Sequence, residues 1–162
     1  MSRSPEARIS RAFTLVEILM VVIIMAIAAA IVIPYSSASG TAALAAARMI
    51  TSDLQYAQNV AITTQKPVTA TFSTTTNEYS LTSQSEPLIH PITKVAYTVR
   101  LSNERGMSGV RIESTTLGAA GAVTFDEFGS PSEACMILVK AGAVMYRVEV
   151  AAATGNIKVT AL

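Results

Sequence analysis

A chain of 162 residues is long enough for one ordinary domain, and its 12 Lys and Arg against 11 Asp and Glu leave almost no net charge. That balance provides no strong field to attract nucleic acid or an acidic substrate, so neither is expected as a partner. The one cysteine, Cys135, cannot close an intramolecular disulfide, and its apolar neighbours predict a buried, inert thiol.

The first predicted element is a helix of membrane length. Residues 13–33 contain one charged side chain, Glu17, and one hydroxyl, that of Thr14. At about 1.5 Å per residue, a helix of this length spans roughly 30 Å, the thickness of a bilayer's hydrocarbon core. Three arginines precede it: Arg3, Arg8 and Arg11. The positive-inside rule therefore leaves the arginines in the cytoplasm and places the C-terminal part across the membrane.

Three interpretations compete for this N-terminus. A secretory signal peptide has an apolar core of roughly 7–15 residues, which is shorter than the segment here. A plain signal anchor explains the length and the arginines but gives no reason for Glu17. A precursor that is cut before the apolar segment, so that the helix stays on the mature protein, accounts for the acid as well.

The run RAFTLVE at residues 11–17, followed by an unbroken apolar stretch and Pro34, resembles the prepilin motif of type IV pilins and type II secretion pseudopilins. The resemblance implies that a prepilin peptidase and methyltransferase cleaves between Ala12 and Phe13 and methylates the new amino terminus of Phe13. Ala12 stands where this family usually has glycine.

The physical chemistry of Glu17 is consistent with that resemblance. A carboxylate within a membrane helix costs roughly 2.5–3.5 kcal/mol even on the lenient insertion scale, so it usually has a function or a partner. Cleavage would create an amine on Phe13, one helical turn away, which could pair with Glu17 of the same chain or of the next subunit. Alternatively, the Glu17 side chain extends to the membrane–water interface, where its carboxylate stays hydrated. We favour the interpretation in which Glu17 acts in subunit assembly. The resemblance implies that Thr14 and Leu15 belong to the same assembly site.

A second, amphipathic helix is predicted within residues 35–66. Pro34 lacks an N–H and disfavours helical geometry at the residue before it, so it predicts a kink between the two helices. Apolar residues then recur at spacings of three and four: Leu44, Ala47, Ile50, Leu54, Ala57 and Ala61. Four polar residues fall largely off this stripe: Arg48, Asp53, Gln55 and Gln58.

Residues 67–162 predict an antiparallel β domain. Short alternating segments separated by turn residues are expected at 68–73, 78–81, 96–101, 110–113, 122–126, 135–140, 144–151 and 156–160, with a loop at 83–94. In the last hairpin, four residues of the first strand should face Ile157 and Val159: Val144, Tyr146, Val148 and Val150. The other side should carry Arg147, Glu149 and Lys158. A helix followed by antiparallel strands is an α+β architecture.

This layout is similar to the GspH/FimT branch of the pilin superfamily. Two turns resemble features of that branch: the Phe-x-x-x-Gly turn at residues 125–129 and the Thr-Gly turn at 154–155. The resemblance implies four parts: a leader (1–12), a transmembrane and assembly helix (13–34), an amphipathic helix (35–66) and a globular β domain (67–162).

Catalytic and cofactor chemistry is not expected. His90 is the only histidine, and it is predicted to be exposed in a loop. Asp126 and Glu127 are predicted to flank a turn, and together with Glu133 they are too few to predict a calcium site. Four tyrosines in periodic segments are predicted to pack in the core or on a sheet: Tyr56, Tyr79, Tyr97 and Tyr146.

The resulting hypothesis is a non-enzymatic minor pilin-like subunit of the GspH type. It would be a single-pass inner-membrane protein with its C-terminal domain on the periplasmic side, and it would assemble into a type II secretion pseudopilus. Its expected partners are other pilin or pseudopilin subunits, the prepilin peptidase, membrane lipid and the secretion machinery. The alternatives are a minor pilin of a type IV pilus, acting in adhesion, motility or DNA uptake, and a membrane-anchored binding domain that never assembles.

Overall fold

The computed structural model describes residues 14–32, 38–117 and 121–162, and the chain divides into two units, Met1–Tyr35 and Ser36–Leu162. In the first unit, Leu15–Val32 form helix α1. Its sequence contains neither Gly nor Pro, so nothing in it interrupts the backbone hydrogen bonds. The predicted kink at Pro34 lies outside the described residues.

The second unit begins with helix α2, Ala38–Thr64, whose buried face is formed mainly by alanine. Seven residues of this face are no more than 1% exposed: Ala43, Ala46, Ala47, Ile50, Leu54, Ala57 and Ala61. The prediction was wrong at Leu44, which is only half-buried. Adjacent helical residues lie about 100° apart, so the face that passes through Ala43 and Ala47 leaves Leu44 at its margin.

The first sheet contains five strands: β1 Val68–Ser73, β2 Glu78–Ser83, β3 Glu86–Pro87, β4 Thr98–Arg100 and β6 Ala122–Phe125. Four of them lie in the order β3-β2-β1-β6, and the fifth, β4, pairs with β2. Burial alternates along β1 and β2, as expected for a sheet with one face on the core. A 3-10 turn, Leu101–Asn103, follows β4.

The second sheet contains four strands with the order β5-β7-β8-β9. Their bounds are β5 Val110–Thr115, β7 Cys135–Ala141, β8 Val144–Val150 and β9 Ile157–Ala161. Val148 pairs with Val159 and Val150 with Ile157, which confirms the predicted register of the last hairpin. The register between β5 and β7 shifts at residue 113, which forms a bulge.

Helix α2 packs on both sheets, with contacts to β1 and β6 of the first and to all four strands of the second. One continuous core of buried side chains lies between these elements, from Ala43 to Val150. Within the described residues, helices and antiparallel sheets confirm the predicted α+β class.

The predicted loop at residues 83–94 contains regular pairing that the sequence did not indicate. Glu86 and Pro87 pair with β2 as the two-residue strand β3, and Ile89 forms an isolated bridge with Ala96. Proline is tolerated there because β3 lies at the edge of the sheet, where its missing N–H breaks no ladder bond.

Candidate functional site

The candidate assembly site lies at the start of α1. Thr14 directly precedes the helix, and its Oγ1 accepts a hydrogen bond from the Glu17 N–H at 3.2 Å. The Thr14 carbonyl also accepts from the same N–H at 3.0 Å and from the Ile18 N–H at 3.3 Å. Thr14 is therefore the N-cap of α1, with the acid three residues later as in a capping box.

The described part of α1 exposes apolar side chains on every face. Eleven large apolar residues are between 49% and 82% exposed: Leu15, Val16, Ile18, Leu19, Met20, Val21, Val22, Ile23, Ile24, Met25 and Ile27. Glu17 is exposed among them. A helix that is apolar all round is normally covered by lipid or by other helices. Leu15, the first helical residue, is the most exposed of the set.

Three predicted site residues, Ala12, Phe13 and Pro34, lie outside the described residues. Of the predicted site residues, the structure brings Thr14, Leu15 and Glu17 together in one helical turn. Among the residues that the structure describes, no helix combines the length and the apolar character needed to cross a membrane.

In the second unit, the two turns that resemble the GspH/FimT branch meet at Gln58 of α2. The Gln58 side-chain amide donates to the Gly129 carbonyl at 2.8 Å. Gly155 lies beside both groups: a Cβ on it would fall 2.8 Å from the Gly129 carbonyl oxygen and also collide with the Gln58 amide. Gly129 and Gly155 have φ of +81° and +63°, which glycine adopts without steric cost. These glycines are therefore required by conformation and by the close approach of the turns to α2.

A hydrogen-bonded pair, buried Tyr79 and half-buried Asp53, also joins α2 to the first sheet. The Tyr79 hydroxyl donates to Asp53 Oδ2 at 2.6 Å, and Tyr79 is 1% exposed. Burial raises the pKa of Asp53, and the hydroxyls of Tyr79 and Tyr97 offset part of that rise. Burial and the nearby Asp53 carboxylate raise the pKa of both tyrosines. Asp53 was predicted to lie off the packed face of its helix; it is half-buried instead.

The loop histidine is more enclosed than predicted. His90 is half-buried, and its ring centroid lies 4.6 Å from that of Tyr97. Its Nδ1 accepts from the N–H groups of Ile92 and Thr93, both at 3.2 Å. Tyr97 in turn stacks on Tyr56 of α2, with the centroids 5.5 Å apart. His90 thus helps to close its own loop over the tyrosines.

Asp126 and Cys135 belong to a turn and to the core of the second unit. The Asp126 Oδ1 accepts from the N–H groups of Phe128 and Ser130, at 3.0 and 2.7 Å, which confirms the predicted turn. Cys135 is buried, and burial raises the pKa of its thiol to about 11. In the part of the chain that the structure describes, no three His, Cys, Asp or Glu side chains form a group suited to a metal ion.

Several solved structures share this architecture, although no protein-family model and no curated protein matches the chain. The minor pseudopilin EpsH from the type 2 secretion system of Vibrio cholerae matches with a TM-score of 0.56 and 14% identity, over 74% of this chain and 96% of that one. A second structure of EpsH gives 0.57 and 11%, over 75% and 95%. The type IV minor pilin FimU of Pseudomonas aeruginosa gives 0.54 and 14%, over 74% and 96%.

The chain has the fold of minor pilins and pseudopilins. The predicted pilin-like fold is therefore confirmed. In this chain α2 is the element on which both sheets pack. EpsH and FimU match with similar TM-scores, so the fold is common to a secretion pseudopilin and a type IV minor pilin.

Sequence reasoning missed the polar residues that organise this pilin-like domain. Asp53 and Gln58 were both predicted to lie off the apolar stripe of α2, yet each bonds to the β domain. Asn77 lies in the turn between β1 and β2. Its side chain pairs with the backbone of β5. The only signal in the sequence was a polar residue beside the apolar stripe of α2. Such a residue can face solvent or bond to a group inside the domain, and the sequence pattern does not distinguish the two.

Proposed function

We propose that this protein is a minor pilin-like subunit that assembles through α1 into a type II secretion pseudopilus. The observation that supports this most directly is the apolar surface of residues 15–27 in α1, which is exposed on all sides and interrupted only by Glu17. Such a surface needs a covering of lipid before assembly and of neighbouring helices afterwards. The pilin-like fold of the second unit is consistent with the same role.

We propose that Glu17 sets the stagger between neighbouring subunits in the filament. Cleavage after Ala12 and methylation of Phe13 would place a positive amine one turn before the Glu17 carboxylate. In an apolar environment an unpaired carboxylate is unfavourable, and pairing it with the amine of an adjacent subunit relieves that cost. Subunits would therefore be held at the stagger that brings the two charges together. The N-cap at Thr14 fixes the first turn on which Glu17 lies.

The proposed location follows from the same segment. Residues 13–34 would hold the mature chain in the inner membrane, with the pilin-like domain on the periplasmic side. The proposed partners are other pilin-like subunits, the prepilin peptidase and methyltransferase, and the secretion machinery. The proposed role is mechanical and does not include catalysis.

Replacement of Glu17 tests the assembly role. We expect Glu17→Ala to be processed and inserted normally but to accumulate in the membrane, absent from sheared or cross-linked filaments. Glu127→Ala, which removes an exposed acid from a loop of the second unit, is the matched control and should assemble as the wild type does. Normal assembly of Glu17→Ala would instead indicate an anchored domain that does not use this contact.

Mass spectrometry of the mature N-terminus tests the processing step. The expected product begins with N-methylated Phe13. A chain cut after Ile33, or left uncut, would contradict the pilin-like assignment of function. Loss of secretion on deletion of the gene, with any type IV pili intact, would support the pseudopilus over a type IV pilus.

A further inference from the structure

The outer edge of β9 offers unpaired backbone groups. Asn156 and Leu162 both bond to β8 or its flanking residue: the Asn156 carbonyl accepts from Ala151 at 3.0 Å, and the Leu162 N–H donates to Met145 at 3.0 Å. Hydrogen-bonding direction alternates along an antiparallel strand, so the N–H and C=O groups of the odd-numbered residues, Ile157, Val159 and Ala161, point away from β8. No described residue pairs with that side of β9.

Two other long sheet edges in this domain are covered by the chain itself. Asn77 occupies the edge of β5, where its side chain bonds to the Val110 carbonyl and the Ile112 N–H, each at 2.8 Å. Ser132 occupies the edge of β6, where its N–H donates to the Thr124 carbonyl at 2.7 Å. An uncovered edge is a template for a further strand. Among the described strands of the second sheet, β9 differs from β5 in lacking such a cover.

The side chains around this edge indicate the chemistry of a strand that would fit it. Toward the core, Ile157 and Val159 are half-buried and apolar. The opposite surface of the second sheet, here called the outer face, has four basic residues and two acidic residues: Arg111, Lys140, Arg147 and Lys158, with Glu113 and Glu149. Glu113 is already paired with Lys140 at 3.7 Å.

Two basic side chains, Arg147 and Lys158, lie on the outer face near this edge. Neither forms an ion pair with another described residue, although Glu149 lies opposite Lys158 on β8. The Arg147 Nε is buried and has no hydrogen-bond acceptor among the described residues. Lys158 lies on β9 itself, so a strand added to β9 would run directly beside it, whereas Arg147, opposite Thr160 on β8, lies one strand further away.

We propose that the free edge of β9 binds an extended acidic segment of another protein as an additional strand of the second sheet. Backbone hydrogen bonds to Ile157, Val159 and Ala161 hold the segment. Its apolar residues then lie beside Ile157 and Val159, and its alternate acidic residues lie beside Lys158, with Arg147 one strand further away. This interaction uses none of the residues of α1. The outcome of a binding test is therefore independent of whether the proposed filament assembly is correct.

A synthetic peptide tests the proposal directly. The probe is a fluorescein-labelled octapeptide of alternating valine and glutamate, titrated with the full chain in detergent micelles and followed by fluorescence anisotropy. We expect it to bind at least ten-fold more tightly than a peptide of alternating valine and lysine. Binding should weaken as the salt concentration rises, because the charges are near the surface. Equal binding of the two peptides, or no binding, would overturn the proposal.

Variants of β9 and of a distant lysine locate the site. Ala161→Pro removes an outward N–H without removing a ladder bond, and we expect it to weaken binding at least ten-fold. Lys158→Glu should weaken binding about five-fold, the scale of one surface charge contact. The matched control is Lys66→Glu, which makes the same charge change at an exposed site after α2 and should bind as the wild type. If Lys66→Glu weakens binding as much as Lys158→Glu, the proposed location is wrong.

Amide hydrogen exchange provides a readout that does not depend on a variant folding. On addition of the acidic peptide, the amides of Ile157, Val159 and Ala161 should become protected, whereas those of β5 should not change. Protection elsewhere would overturn the proposal. So would two alternative results: dimerisation of the chain through β9, or competition for the same residues by a 20-base-pair DNA duplex.

Discussion

The Asn77 side chain bonds to the backbone of Ile112 and Val110 as a neighbouring strand would. Its Oδ1 accepts from the Ile112 N–H and its Nδ2 donates to the Val110 carbonyl, both at 2.8 Å. Asn77 belongs to the turn of the first sheet, whereas Val110 and Ile112 belong to the second. One amide thus joins the two sheets, and its φ of +55° is a conformation that asparagine adopts more readily than most residues.

Asn77→Gly should isolate the contribution of that amide. Glycine accepts the same backbone conformation, so the main loss is the two hydrogen bonds, which leaves partly buried backbone groups unsatisfied. We expect the free energy of unfolding to fall by about 1–3 kcal/mol, measured by urea denaturation. Ser85→Gly, at an exposed turn residue with φ of +70°, is the control and should be neutral or slightly stabilising. Equal effects of the two substitutions would contradict a joining role for Asn77.

Gly155→Ala should be more destabilising than an alanine at another glycine with positive φ. At Gly106, with φ of +78°, an added Cβ would meet no atom within 4 Å, so Gly106→Ala should cost only the conformational term of about 1 kcal/mol. Gly155→Ala adds a collision with the Gly129 carbonyl and should cost a further ~1–3 kcal/mol.

Gly129→Ala provides a case between these two. Its added Cβ would lie 2.7 Å from Ile62 Cδ1, the end of a flexible side chain, and not against backbone. The free energies of unfolding should therefore decrease in the order Gly106→Ala, Gly129→Ala, Gly155→Ala. A different order would show that the turns can move away from α2.

Asp53→Asn should remove a pH dependence of stability. The pKa of Asp53 is raised above its ordinary value of 3.8, chiefly by burial. The stability associated with the protonated form is fully present below that value and is lost as pH rises through the folded-state pKa. The stability of Asp53→Asn relative to wild type should therefore be higher at pH 7.5 than at pH 4, measured by urea denaturation at both.

Tyr79→Phe should show the opposite pH dependence: its stability relative to wild type should be lower at pH 7.5 than at pH 4. Without the Tyr79 hydroxyl, the Asp53 carboxylate loses its 2.6 Å donor, which matters most when the carboxylate is ionised. The loss of stability should be about 1.5–3 kcal/mol at pH 7.5 and smaller at pH 4. If both variants responded to pH in the same direction, the pair would not be the cause.

Thr14→Val should loosen the first turn of α1. Valine keeps the shape of threonine but cannot accept the bond from the Glu17 N–H, so the cap is lost at a cost of about 1 kcal/mol. In full chain held in micelles, exchange of the Glu17 amide should accelerate about five-fold. Thr14→Ser keeps the acceptor and should exchange like the wild type; rapid exchange in both would argue against capping.

The sequence was most informative where one physical requirement dominates. Alternation of apolar residues placed β1 and the β8–β9 hairpin correctly, because each has one face on the core. The Phe-x-x-x-Gly and Thr-Gly turns were recognised separately, but not their meeting at Gln58. That meeting depends on the packing of segments that are distant in the chain, and no local pattern encodes it. The same reason applies to Asp53 and Tyr79, whose hydrogen bond joins residues 26 positions apart.

The alanine face of α2 limits which substitutions this domain can accept. Five of its seven fully buried residues are alanines, so methyl groups determine how near the helix axis comes to the strands. Ala47 and Ala57 are 0% exposed, so a larger side chain at either position would overpack the contact between the helix and the sheets, typically at a cost of about 1–3 kcal/mol. Sequence variation in this protein should therefore be narrow in side-chain volume along that face, even where the hydrophobic character is kept.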